Sequence, residues 1–403
     1  MAGSTIMLDG IKKRLKTSKL AREINSAVKG VALDIEYEIN RLRFGDYWNR
    51  HYPDACIRIA TELLQGRLRD VRRDIPAPRL NIFFVGTYYD HEMQGFYQGL
   101  QELGDVYTYT NAHGRYGINA PRGMKFSLHE HQQWCQHLYE SVFKAHQFRS
   151  IDFVIGTFTA PSVPLETLLA IRRLGIPIIN IAMDDMLQQH WRTVGKFKMG
   201  AFGLGPAVDL TLHTTPALIP RYIKAGYPAI YFPFASDANI FFPAAEKDID
   251  VLFIGNCYGK REKLISKCIA ADISVEAYGL NFPRGHIDGA EVPGLFGRSK
   301  IILGSGLVGH STNLTTLKLR DFDGPMAGAL YLTSHNPTLE NHFDIGEEIV
   351  TYVNIDDCIE KIRYYLANEN ERLRIATNGR ARAIAEHTWN RRVQLLPEVL
   401  GLS

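Results

Sequence analysis

The stretch ILGSGLVGHSTNLTTLKLRDFDGPMAGALYLT, Ile302 to Thr333, decides how the chain is read, because it satisfies two familiar patterns at once. Gly304, Gly306 and Gly309 spell the GxGxxG of a dinucleotide-binding turn; Asp321, Phe322 and Asp323 spell a metal-binding DxD. A dinucleotide fingerprint closes the first strand-to-helix turn of its domain, with an acid about 20 residues on at the end of the second strand. Here the glycines follow what reads as a third strand, and the acids precede the next strand. A DxD that holds a cation belongs on a loop leaving a strand; this one follows the helical pattern TTLKLR and runs into Gly324 and Pro325.

The segment instead suits an anion and hydroxyl site. If Asn313 to Asp323 is helical, then Asn313, Thr316, Arg320 and Asp323 recur at spacings of three and four and share one polar face. Asp323 then caps a new helix, with Pro325 in its first turn. Its carboxylate would accept from ribose hydroxyls while Arg320 and backbone N–H groups face phosphate. The plainer alternative is that Asp323 is only a cap and Arg320 only its ion partner.

Outward from this stretch, short apolar runs bounded by Gly alternate with helical patterns, as in parallel α/β units. Candidate strands are LNIFFVG, DFVIG, IPIINIA, DLTLH and AIYFP, then DIDVLFIG, SVEAYG, SKIILGSG, GALYLT and EIVTYV. PFASDANIFFPAAEKD, bracketed by Pro233 and Pro243, reads as a linker between the two groups. The expected architecture is a helical extension over 1–75, Rossmann-like domains over 76–235 and 236–385 facing across a cleft, and a C-terminal helix over 386–403 that returns to the first domain.

The chain has 403 residues, 45% hydrophobic and 22% charged, enough for two cores. Cys56, Cys135, Cys257, Cys268 and Cys358 are odd in number with no CxxC, so neither a disulfide framework nor a zinc cluster is expected, and a reducing cytoplasm is. No apolar run approaches the roughly 20 residues of a membrane span. A net charge of +3 gives no reason to expect nucleic acid, but residues 1–75 hold 15 Lys or Arg against 10 Asp or Glu. The run KKRLKTSK from Lys12 to Lys19 is either a solvated face or dimer contact, or a peripheral contact with an anionic membrane.

A second candidate element is VLFIGNCYGKREKLI. A strand ends at Gly255, a turn follows, and Lys260 and Arg261 open a helix whose free N–H groups suit a diphosphate; Tyr258 either packs under a base or fills the turn. Bases for deprotonating a hydroxyl are sought on loops after strands of the first domain. VGTYYDHEMQG offers Asp90 and His91, and NIAMDDMLQQHW offers Asp184, Asp185 and His190; Asp185 and His91 rank first. The sequence has no HExxH, P-loop or GxSxG, so no metal, bound cofactor or covalent nucleophile is expected.

From LKLRDFDGPMAGALYLT through FDIGEE at Phe343 to the closing GRARAIAEHTWNRR, the chain resembles the CgeB-like (spore maturation protein type) glycosyltransferases of the glycosyltransferase group 1 superfamily. The resemblance covers residues 235 to 395. It implies a GT-B fold and transfer of a sugar from a nucleotide-diphosphate sugar to a hydroxyl of a glycan, lipid or protein, with Asp323 on the nucleotide ribose. Relatives with a two-glutamate E-x7-E pattern carry their first acid where this chain has Thr315. Two other functions stay open: a nucleotide-sugar-binding or scaffold protein that does not catalyse, and a dinucleotide-dependent oxidoreductase using GSGLVG.

Overall fold

The computed structural model describes residues 24–35, 37–39, 42, 54–69, 79–86, 93–109, 128–159, 162–183, 193–194, 197–198 and 200–402. Among the described residues of 1–75 there are helices and no strand: residues 24–35 are helical, and α1 spans Asp54–Leu68.

The first sheet is built from β1 (Leu80–Val85), β2 (Gly104–Thr108), β3 (Phe153–Gly156) and β4 (Ile178–Ala182), with β7 (Leu210–His213) and β8 (Ala229–Tyr231) beyond a small hairpin, β5 (Thr193–Val194) and β6 (Phe197–Lys198). Its order is β2-β1-β3-β4-β7-β8 and every pairing is parallel. The connections carry α2 (Gln94–Leu103), α3 (Leu128–Phe148), α4 (Leu165–Arg172) and α5 (Ile219–Lys224). The second sheet holds β9 (Ile249–Ile254), β10 (Val275–Tyr278), β11 (Ser299–Leu303), β12 (Leu330–Ser334) and β13 (Val350–Tyr352), ordered β10-β9-β11-β12-β13 and again all parallel. Around it lie α6 (Arg261–Ala270), α7 (Val292–Arg298), α8 (Arg320–Met326), α9 (Ile355–Ala367), α10 (Glu369–Glu386), α11 (Trp389–Val393) and α12 (Leu396–Val399).

All ten apolar runs become strands, because a parallel strand covered by helices on both faces must be apolar along its whole length. Alternation then sorts side chains between faces. In β1, Ile82 and Phe84 enter one buried cluster while Phe83 and Val85 enter another. The segment read as a linker is partly buried: Phe234, Ala235 and Phe241 join the cluster that also contains Ile82 of the first sheet and Leu252 and Ile302 of the second. One continuous core therefore runs through both halves. β2 was not expected; half-exposed at the sheet edge, GDVYT has no apolar run to mark it.

The C-terminal helices lie against the first half. Trp389 meets Phe96 edge-on, with ring centroids 5.5 Å apart. A Cβ at Gly95 would lie 2.6 Å from Trp389, and one at Gly99 would lie 2.7 Å from Val393, so the glycines of α2 allow α11 this approach.

One expectation about the opening stretch fails. Asn313 to Asp323 is not one helix: residues 304–319 form an irregular loop, and α8 begins only at Arg320. The loop doubles back, with Leu307 bridging Thr315, Val308 N donating to Leu314 O and Thr316 N donating to Gly306 O. These bonds take the backbone groups that a helix would need. Asp323 accordingly lies inside the first turn of α8 rather than capping it, and Pro325 is near the helix end.

Candidate functional site

In both sheets the order turns at the first strand, between β1 and β3 and between β9 and β11. The crevice outside the carboxyl ends of such a pair is where open α/β sheets bind ligands. The two carboxyl edges face each other, since Thr215, beyond β7, has its hydroxyl 3.2 Å from that of Thr316 in the second half.

At the second switch point β9 is followed by Gly255, whose φ of +150° favours glycine and where a Cβ would meet the Arg320 guanidinium at 2.6 Å. Arg320 donates from Nη1 to Ile254 O at 2.7 Å and from Nη2 to Ser305 O at 3.4 Å, joining the end of β9 to the loop after β11. Its guanidinium also lies 5.0 Å from the centre of the Phe253 ring, and its Nε is buried without a hydrogen-bond partner among the described residues. Arg320 thus holds a fixed charge at the switch point. Part of its donor capacity is spent on backbone carbonyls, a structural task the sequence did not reveal.

The next turn brings two more cations. Arg261 is buried, stacks 4.3 Å from the centre of the Tyr258 ring and donates to Asn256 O at 3.0 Å. Lys260 is half-buried; burial pulls its ammonium below the usual value, and Asp34 opposes that shift. Lys260 sits at the N-terminus of α6, where no side chain caps the helix. Lys260 N donates to Gly309 O at 3.2 Å, and a Cβ on Gly259 (φ +65°) would lie 1.9 Å from that same oxygen. Gly309 of GSGLVG therefore serves loop-to-loop contact, and the next helix begins only at Arg320.

The DxD acids have unlike surroundings. Asp321 is fully buried, accepts from Lys318 N at 2.6 Å and from the Tyr331 hydroxyl, and is raised in pKa by that burial despite those bonds. Both of its oxygens are engaged, so it is not an open metal ligand. Asp323 is buried at 3% exposure, three residues along α8 from Arg320 and therefore on the same side of the helix.

Of the residues expected together, Gly255, Arg261 and Arg320 meet at the β9/β11 switch point with Tyr258 stacked on Arg261; Lys260 opens α6 on the same turn, and Asp323 lies three residues along α8 from Arg320. Asn313 and Thr316 separate: Asn313 is exposed at the loop tip, whereas Thr316 is buried against Thr215. Asp185 and His91 lie outside the described residues, as do Asp90, Asp184, His190 and the 12–19 tract.

Sequence reasoning missed two groups here. Asn336 is buried, accepts from Thr315 Oγ1 at 3.1 Å and has an Nδ2 without a partner among the described residues. Asp34, on the 24–35 helix, accepts from Ser311 Oγ, from Thr312 Oγ1 at 2.7 Å and from the Thr312 and Asn313 N–H groups. Burial raises the Asp34 pKa, but these hydrogen bonds outweigh it and hold the carboxyl below its ordinary range. Neither belongs to a motif, since both contacts join segments distant in sequence.

The arrangement is that of the GT-B fold. Residues 241–398 match the family model described as glycosyl transferase-like. Among solved structures, the chain is similar to sucrose-phosphate synthase from Thermosynechococcus elongatus, at 11% identity and TM-score 0.56 over 81% of this chain and 100% of that one. It is also similar to Anabaena HepE in complex with UDP and glucose (12% identity, TM-score 0.53, covering 80% and 100%). A glycosyltransferase from Rickettsia africae gives 10% identity and TM-score 0.52 over 81% and 100%. No curated protein sequence matches.

Proposed function

We propose that the chain is a glycosyltransferase that moves a sugar from a nucleotide-diphosphate sugar to an acceptor hydroxyl, with the donor held at the β9/β11 switch point. The observation that carries this reading is the Arg320 guanidinium fixed between β9 and the loop after β11, with Arg261 at the same glycine and Lys260 at the uncapped start of α6. A diphosphate is the dianion-rich group that such a cluster suits. HepE, solved with UDP and glucose, makes UDP-sugars the first donors to test.

In the reaction the acceptor oxygen attacks the anomeric carbon, the bond from that carbon to the diphosphate oxygen breaks, and negative charge collects on the departing diphosphate. Arg320 and Lys260 stabilise that charge without a metal. Asp323 accepts from ribose hydroxyls. Asp185 or His91 takes the acceptor proton. The acceptor is a hydroxyl of a glycan, a lipid or a protein.

Incubation of the full chain with UDP-glucose and a panel of hydroxyl acceptors, with chelator present, tests this. Release of UDP that depends on acceptor is expected. Binding of UDP-glucose with no release across the panel would favour the non-catalytic reading, and reduction of a bound nicotinamide would favour the oxidoreductase.

A further inference from the structure

The helix over residues 24–35 has two unlike long faces. One is docked on the loop after β11: Gly30 packs so closely on His310 that a Cβ would lie 2.5 Å from its carbonyl oxygen, Leu33 is buried, and Ser26 Oγ lies 2.7 Å from His310 Nδ1. Tyr37 continues this face against Leu218, Val308 and Leu314. The other face carries Ile24, Val28, Val31 and Ile35, continued by Ile39 and Leu42. These side chains are exposed by between 44% for Ile39 and 73% for Leu42.

At the α-helical repeat the six fall within about 80° of one another around the axis, on the side away from the docked residues. Six aliphatic side chains in one stripe are not the scattered exposure of an ordinary surface. Just before the stripe, Lys12, Lys13, Arg14, Lys16, Lys19 and Arg22 come without an intervening acid. An apolar ridge preceded by a dense cationic tract calls for a surface that is apolar below and anionic above.

We propose that the stripe Ile24, Val28, Val31, Ile35, Ile39 and Leu42 is a membrane-docking ridge that lies in the headgroup boundary of an anionic bilayer. A second copy of the helix would use the stripe but not the cationic tract; a lipid surface uses both. The docked face ties this ridge to the loop that holds Lys260 through Gly309, so the β9/β11 switch point would be carried at the membrane surface. Vesicle binding does not depend on whether the chain transfers sugar.

Flotation of the full chain with vesicles of equal phosphatidylglycerol and phosphatidylcholine tests the ridge, with phosphatidylcholine vesicles as the control. Wild type should float with the anionic vesicles, only weakly with the neutral ones, and less in high salt. Val28→Glu/Val31→Glu, at exposed positions that keep the docked face, should cut the bound fraction by about tenfold or more at an unchanged melting temperature. Ile35→Ser should give a smaller loss, and it replaces the double variant should that one melt lower. Equal flotation of wild type and variants, no flotation of wild type, or a dimer that the variants split while nothing floats would each overturn the proposal.

Discussion

The two sheets share one strand order, but the segments at their carboxyl ends are tied down by different chemistry. On the first sheet, Asn180 of β4 clamps the segment after β3, accepting from Phe158 N at 2.7 Å and donating to Phe158 O at 3.1 Å. On the second, Arg320 plays the clamp between β9 and the loop after β11, with Lys260 and Arg261 at the adjacent turn. An amide clamp satisfies the backbone and leaves no field. A guanidinium clamp satisfies the backbone and also leaves a positive charge at the crevice, the feature on which the proposed diphosphate site rests.

The strongest way to break this comparison is to neutralise each clamp. Arg320→Met should weaken binding of a nucleotide diphosphate by about tenfold to a hundredfold, as expected for loss of charge-assisted hydrogen bonds. Asn180→Leu should instead destabilise the fold by about 1–3 kcal/mol for each Phe158 group left unpaired, at unchanged nucleotide affinity. Titration calorimetry with melting curves separates the two; equal affinity losses would erase the distinction.

The paired acids sharpen it further. Asp323→Ala should reduce nucleotide affinity by about tenfold or more. Asp321→Ala should lower the melting temperature, because the Tyr331 hydroxyl and Lys318 N–H lose their buried acceptor, and change affinity little. An affinity loss at Asp321 matching that at Asp323 would revive the metal-binding reading of DxD.

A third prediction concerns the contact between the halves. His342 accepts from or donates to Tyr231 across a 2.7 Å contact, and His387 Nε2 donates to His342 O at 2.8 Å. Burial pushes His342 down to about 3 and His387 to about 4. Below the ordinary imidazole value of 6.5 the unfolded chain takes up protons that the native protein refuses, so stability falls as the pH drops from about 6.5 toward 4. The slope is up to about 1.4 kcal/mol per pH unit for each ring. Denaturant unfolding of His342→Gln at several pH values should show a shallower slope; an unchanged slope would remove His342 from the account.

The smallest effect is expected at Lys260, whose charge is half-solvated. Lys260→Ala should weaken nucleotide binding only about threefold to tenfold, and the loss should shrink in high salt. A salt-independent loss would mean that the side chain acts by packing.

Much of this was legible in the sequence because buried parallel strands are mostly apolar, as LNIFFV and IINIA show around their single Asn, and Gly follows several of them. The cations after β9 could be read because Gly255 and the helix start are neighbours in sequence. Three features could not. The return of 304–319 on itself depends on pairs such as Leu307 with Thr315, which a helical spacing of Asn313, Thr316 and Arg320 imitates. The Asp34 contacts join residues 277 to 279 apart in sequence. Arg320 looked like a free cation because nothing local discloses that Ile254 O and Ser305 O claim its donors.

Under the proposed function, fixed protein charge rather than a metal holds the diphosphate at the β9/β11 switch point. This is tested most directly by calorimetric titration of UDP and UMP, with GDP and GMP in parallel, into chelator-treated protein and into Arg320→Met. For the preferred base the diphosphate should bind wild type about tenfold or more tightly than the monophosphate, and Arg320→Met should narrow this gap. Equal affinity for diphosphate and monophosphate, or a gap that appears only when Mn or Mg is restored, would contradict it.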